Sequence, residues 1–289
     1  MNADLILEAE LRRRGQSAVH TLSESEVVEL VLRFAVWLPV ETFTKAPWLA
    51  PFAVRKVRIR EEPNAPGEKR DLWGLPDSEG YFTDDNSLIK SVVLRKSLIP
   101  TTNAYGNSRL TAGLVCCHIW PHTTASPLLF SFIPNLVWLP KSLAPYSDGH
   151  LARPPHVAHQ VLQRVSLYRY FEHETEVASD RVSLAWAQLE APAAVSVPLI
   201  VATELADGAA VVKLVNNRLE RMCRFLAATL EFGSAPPPRF SRRYHAGVGK
   251  GIDESVDSVQ KSLSATLRGA RLEEMRSCNR PTRFTEKSV

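Results

Sequence analysis

The chain has 289 residues, 45% of them hydrophobic, and 35 Lys and Arg against 31 Asp and Glu leave a formal net charge of +4. That length and apolar content can bury one large core or two modest ones, which excludes a chain disordered throughout. A charge so near balance permits a nucleic-acid partner without requiring one. The cysteines, Cys116, Cys117, Cys223 and Cys278, are too few and too irregularly spaced for a disulfide framework, and without a CxxC pair they exclude a four-cysteine structural zinc site. A reducing, cytoplasmic setting is expected. The amino end, MNADLILEAELRRRG, carries acids where a secretory signal needs an apolar stretch, and no run of about 18 apolar residues suggests a membrane span.

In chain order, LSESEVVELVLRFAVWL from Leu22 predicts a helix. Ser23 and Glu26 form a capping box, Val27, Leu30, Val31 and Phe34 share a face, and Pro39 ends the element. FAVRKVRIREE, residues 52–62, alternates apolar and basic residues as a half-exposed strand does, and EEPNAPGEKRD follows as a loop. DDNSLIKSVVLRKSLI from Asp84 predicts a capped helix whose polar side, with Lys90, Arg95 and Lys96, is basic. LTAGLVCCHI has the apolar density of a strand, and NLVWLP that of a second one stopped by Pro140. HVAHQVLQRVSLYRYF, TEVASDRVSLAWAQL and AAVVKLVNNRLERMCRFLAATLEF each repeat their apolar residues at helical spacing. After Gly233 the chain turns Pro-rich, then basic and Gly-rich, as a linker or mobile tail, with an amphipathic helix near Ser255 to Met275. The expected regions are an amino-terminal helix and strand region over 1–75, a core with following helices over 76–232, and the tail over 233–289.

Residues 116 to 144 place a Cys-His pair, an Ile-Trp-Pro step and an Asn-Leu-x-x-Leu run in one largely apolar stretch. Polar groups enter such a stretch when they are hydrogen-bonded or functional. The order His118-Ile-Trp-Pro121, a loop, then Asn135-Leu-Val-Trp-Leu139 resembles the HNH nuclease motif, a ββα-metal hairpin. The fold class expected is therefore α+β, helix-rich, with an embedded HNH-like ββα-metal element. The resemblance covers about a tenth of the chain and implies a metal-dependent DNA endonuclease of restriction or other bacterial defence type.

On that resemblance, His118 is the general base that takes a proton from the attacking water, a task suited to imidazole. Asn135 pins the loop, holds the histidine's orientation and orients the water. The family's acid or second His before the base is here Cys117, whose thiolate would favour zinc over Mg²⁺; the apolar run before it predicts packing instead. A third family residue falls about nine positions after Asn135, where Ala144 has no donor. Asp148, His150 and His122 are the remaining candidates to hold a divalent ion, Mg²⁺, Mn²⁺ or Zn²⁺. Lys90, Arg95, Lys96 and Lys141 are the candidate DNA contacts, and cutting both strands with one site per chain implies a homodimer.

The alternative is an inactive nucleic-acid-binding or helical interaction protein that keeps the hairpin as scaffold, since a His beside Trp and Pro also fits a hydrogen-bonded core residue. Trp120 and Trp138 are expected in the core, and His156 and His159, at the start of a helix, on the surface. GVGKG, residues 247–251, lacks the hydroxyl residue of a phosphate loop and fits a basic tail. Arg12 to Arg14 and Arg242 with Arg243 are small basic clusters able to touch phosphates.

Overall fold

A computed structural model describes residues 2–55, 76–84, 89, 105, 112–147, 156–172, 179–192, 203–204, 208–232 and 265–278. It divides into two compact units, one made of 1–60 and 84–215, the other of 61–83 and 216–289. Helix and strand are mixed, as an α+β chain requires, and helix predominates among the described residues.

Helix α1, Ala3–Arg13, opens the first unit. Ala3, Leu7 and Leu11 recur every fourth residue and are buried, while Asn2 caps the start by accepting the Asp4 N–H at 3.0 Å. The helix start lies against Gly113: Ala3 N–H donates to Ala112 O at 3.0 Å, and a Cβ on Gly113 would stand 1.9 Å from Asn2 Oδ1. Gly113 also has φ +87°, so both the space and the backbone exclude a side chain there.

Helix α2, Glu24–Phe34, has the capping box at Ser23 and Glu26, and it buries Val27, Leu30, Val31 and Phe34. It stops earlier than the sequence predicts. Val36–Trp37 leave the helix as strand β1, fully buried, because the sheet takes the apolar residues before Pro39. Helix α3, Val40–Lys45, follows. Ala53–Val54 form β2, which is buried rather than half-exposed; residues 56–62 of that predicted strand lie outside the described residues. Of the helix predicted from Asp84, only Ile89, helical and buried, is described beyond Asp84 itself.

The sheet of this unit runs in the order β4, β5, β1, β6. Strand β4 is Leu114–His118 and β5 is Leu136–Pro140, antiparallel in a register that pairs Leu114 with Pro140 and His118 with Leu136. Strand β1 joins β5 antiparallel, Val36 opposite Trp138, and β6, Thr203–Glu204, joins β1 in parallel. All five residues of β5 are buried, as a central strand covered on both faces should be. Helix α4, Val157–Leu167, continues through a wider turn over Tyr168–Glu172, and α5 spans Asp180–Ala187. Phe43, Phe132, Tyr170 and Trp186 meet edge to face in the core, with ring centroids 5.2–6.4 Å apart. Tyr170 and Tyr105 donate their hydroxyls to Leu38 O and Phe34 O, each at 2.7 Å, so neither buried phenol lacks an acceptor.

Helix α6, Gly208–Phe232, begins in the first unit, and the boundary between the units falls after Val215. In the second unit Phe82, within strand β3 of Phe82–Thr83, bridges to Pro76 and meets Phe225 at 6.0 Å. Helix α7, Ala265–Cys278, overlaps the helix expected near Ser255 to Met275 and buries Leu272 and Met275; residues 255–264 lie outside the described residues. Its Arg268 donates to Thr229 O at 3.2 Å, and Arg271 lies 4.0 Å over the Tyr81 ring.

Candidate active site

The β4–β5 ladder ends where His118 faces Leu136, and Asn135, one residue before β5, fastens the connection that follows. Its Oδ1 accepts the Trp120 N–H at 2.9 Å, and its Nδ2 donates to Thr123 Oγ1 at 2.8 Å and to Leu129 O at 2.9 Å. Its backbone carbonyl accepts the Ile119 N–H at 3.0 Å. One fully buried amide thereby ties together three points of the loop, which only a side chain that both donates and accepts can do. The amide is fully buried, and each of its hydrogen-bond partners lies in the loop.

His118 is half-buried at the end of β4. Its Nε2 lies 2.8 Å from Phe130 O, and its ring stacks on the Phe130 ring with centroids 5.8 Å apart and 20° between planes. A carbonyl only accepts, so Nε2 carries the hydrogen and Nδ1 is the basic nitrogen.

Helix α4 packs against the loop end of this hairpin. His159 Nε2 donates to Ile119 O at 2.7 Å, Gln163 Nε2 donates to the same oxygen at 2.9 Å, and Ser166 Oγ donates to Pro134 O. This corrects the expectation of a surface position for His159, which is buried because its ring satisfies a carbonyl that the ladder leaves behind. His156 instead caps the helix, its Nδ1 accepting the Ala158 N–H at 3.1 Å, with its ring edge-on to Tyr146 at 5.1 Å. Neither role was visible in the sequence, where the only signal was two polar residues four apart, His159 and Gln163, on one helix face.

The proposed metal donors are not brought together among the described residues, where no three His, Cys, Asp or Glu side chains form a group able to hold an ion. Cys117 is buried, alternation along β4 turns it to the face opposite His118, and its Sγ lies 3.7 Å from Val115 O on its own strand. His122 is exposed and left-handed, φ 59°, at the start of the short turn Thr123–Ala125. Asp148 and His150 lie outside the described residues. The described donors alone therefore do not make a metal centre.

Lys141 is exposed just after β5; Lys90, Arg95, Lys96, Arg242, Arg243 and the stretch 247–251 lie outside the described residues. Trp120 and Trp138 are both core residues, and Trp120 Nε1 donates to Glu190 O at 2.8 Å. In the cluster Arg12 to Arg14 each cation has a carboxylate partner, Arg12 reaching Glu8 at 3.8 Å. Arg13 and Arg14 pair with Glu10 at 2.8 Å, Arg14 also reaches Glu29 at 2.7 Å, and Arg33 reaches Glu10 at 2.7 Å. These cations hold the Glu10 carboxyl down at about 2, chiefly through the Arg13 hydrogen bonds, against the opposing cost of burial.

No helix among the described residues is long and apolar enough to cross a membrane. No family model, curated protein or solved structure matches the chain.

Proposed function

We propose that the chain is an HNH-like endonuclease that hydrolyses phosphodiester bonds in DNA, with His118 as general base and a divalent metal as cofactor. The observation that carries this reading is the pair of contacts in one loop: Asn135 fastens it, and Phe130 O within it fixes the tautomer of His118. A histidine so held has one ring nitrogen committed to the loop, so the ring need not reorganise between turnovers.

In the reaction, Nδ1 takes a proton from water as the water oxygen bonds to phosphorus. The bond from phosphorus to the leaving oxygen breaks, and that oxygen gains a proton from solvent. The Phe130 carbonyl stabilises the imidazolium that forms, because its oxygen faces the Nε2–H. A bound divalent ion would supply positive charge to the phosphate oxygens, with Asp148 or His150 as donors from this chain. Lys141 would contribute a phosphate contact beside the hairpin.

The competing reading is a nucleic-acid-binding scaffold without catalysis, and the burial of Cys117, at the position where the resemblance expects a ligand, favours it. Incubation of the purified protein with supercoiled and linear DNA across Mg²⁺, Mn²⁺, Ni²⁺ and Zn²⁺, with a chelator control and His118→Ala, separates the two. Metal-dependent nicking that His118→Ala abolishes supports the nuclease. Salt-sensitive retention of DNA without cleavage in any metal supports the scaffold.

A further inference from the structure

We propose that His159 and Gln163 are positioning residues, a two-donor clamp from helix α4 on the Ile119 carbonyl that holds the loop carrying Phe130 O in place against the neighbouring His118 imidazole. The inference rests on the role proposed for His118, and the observations that carry it lie on three consecutive residues. The β4–β5 ladder ends at His118, so strand pairing does not by itself dictate the backbone beyond it. Ile119 N–H nonetheless donates to Asn135 O at 3.0 Å, and Trp120 N–H donates to Asn135 Oδ1 at 2.9 Å. The peptide plane between Ile119 and Trp120 is thus held at its N–H end by Asn135. His159 Nε2 at 2.7 Å and Gln163 Nε2 at 2.9 Å hold its carbonyl end.

Two donors on one carbonyl use both of its lone pairs, and their nitrogens stand 3.2 Å apart because they share that acceptor. A buried carbonyl needs only one partner to avoid the cost of burial, so the second donor adds direction rather than mere satisfaction. A planar peptide held at both ends cannot rotate about the chain. Its rotation about the line between the Ile119 and Trp120 Cα atoms would change ψ of Ile119 and shift the loop beyond, which carries Phe130 O, against the His118 ring, where 2.8 Å leaves little tolerance. The spacing of the two residues, i and i+4, brings both donors to one spot on the helix face.

The test reads His118 directly, in the full chain without DNA or metal, by long-range proton–nitrogen correlation spectra of histidine-labelled protein, with His118→Ala assigning the signals. The parent is expected to show the Nε2–H tautomer at His118. His159→Leu combined with Gln163→Leu is expected to lose that single tautomer and give a mixture, while His159→Gln, which restores a donor, keeps it. Cleavage by each variant is measured alongside, with kcat expected to fall about tenfold or more in the double variant and KM to stay near the parental value. An unchanged His118 tautomer in the folded double variant overturns the clamp. Should the double variant not fold, the single variants His159→Leu and Gln163→Leu decide: an unchanged tautomer in both shows a purely structural contact and also overturns it. If the parent cuts no DNA in any metal, the nuclease proposal fails, whereas the spectra still decide whether the clamp holds the loop against His118.

Discussion

The His118 imidazole donates from Nε2 to the carbonyl of Phe130 at 2.8 Å, in the loop that Asn135 closes. The contact makes a chemical difference between the two ring nitrogens, since one is committed to donation and the other is left with the lone pair. Replacing His118 with Ala is expected to lower cleavage by about 10²–10⁴-fold, the range for loss of a general base. Stability should fall by only about 1–2 kcal/mol, because the ring is half-buried and one hydrogen bond is lost. Cleavage of supercoiled DNA and urea melts measure the two effects; full activity in a folded His118→Ala protein would refute the assignment.

Asn135→Asp keeps the shape but replaces Nδ2, which donates to Thr123 Oγ1 and Leu129 O, with an oxygen. Thr123 can turn its hydroxyl to donate, although that hydroxyl already serves Trp120 O at 2.8 Å. Leu129 O cannot, and it would face a carboxylate in a site closed to water. From the sequence alone the loss would be expected in activity more than in stability. The burial of the amide changes that expectation: the variant should lose about 2–4 kcal/mol of stability as well as activity. Denaturant titration of Asn135→Asp beside Asn135→Ala checks it, and a parental midpoint in both would show that the amide does not fasten the loop.

Legibility in the sequence followed how local each cause was. The capping box at Ser23 and Glu26 acts within one turn, and it was readable; so was the hairpin, whose strands carry dense apolar runs on either side of turn residues. The end of α2 was not readable, because Val36 and Trp37 are as apolar as a helix would want and only the neighbouring strands claim them. Helix α1 hid behind its acids and arginines, although Ala3, Leu7 and Leu11 keep helical spacing. The burial of His159 is hidden in the sequence for a related reason: whether a polar residue is buried depends on the acceptor it meets, and Ile119 O is 40 residues away.

Cys117 tests the metal. Buried on the face of β4 opposite His118, it behaves in the fold as a small apolar residue. Cys117→Ser should therefore cost about 1 kcal/mol and leave the metal preference of cleavage unchanged. Cys117→Asp should destabilise more, since it buries a carboxylate, and should not restore preference for Mg²⁺. Cleavage rates across Mg²⁺, Mn²⁺ and Zn²⁺ for the parent and both variants, beside Asp148→Ala and His150→Ala, make the comparison. Loss of bound metal in Cys117→Ser, with the two downstream variants unaffected, would make the thiolate a ligand after all.

Glu10 supplies an acid-sensitive tie in the first unit. Its carboxylate receives Arg13, Arg14 and Arg33, and these hold it at about 2, below the ordinary value of 4.5. A carboxyl lowered in the folded state binds protons more readily when the chain unfolds. The stabilisation is therefore complete above about pH 4.5 and is lost as pH falls toward 2. The shift sets an upper bound, and water around the exposed Arg13 screens part of it, leaving about 2 kcal/mol. Glu10→Gln should be less stable than the parent by that amount at pH 7, and the two stability curves should converge between pH 4.5 and 2. Urea titrations at steps across that window provide the measurement. Curves that stay parallel down to the lowest pH would show that the three arginines hold Glu10 no better folded than unfolded.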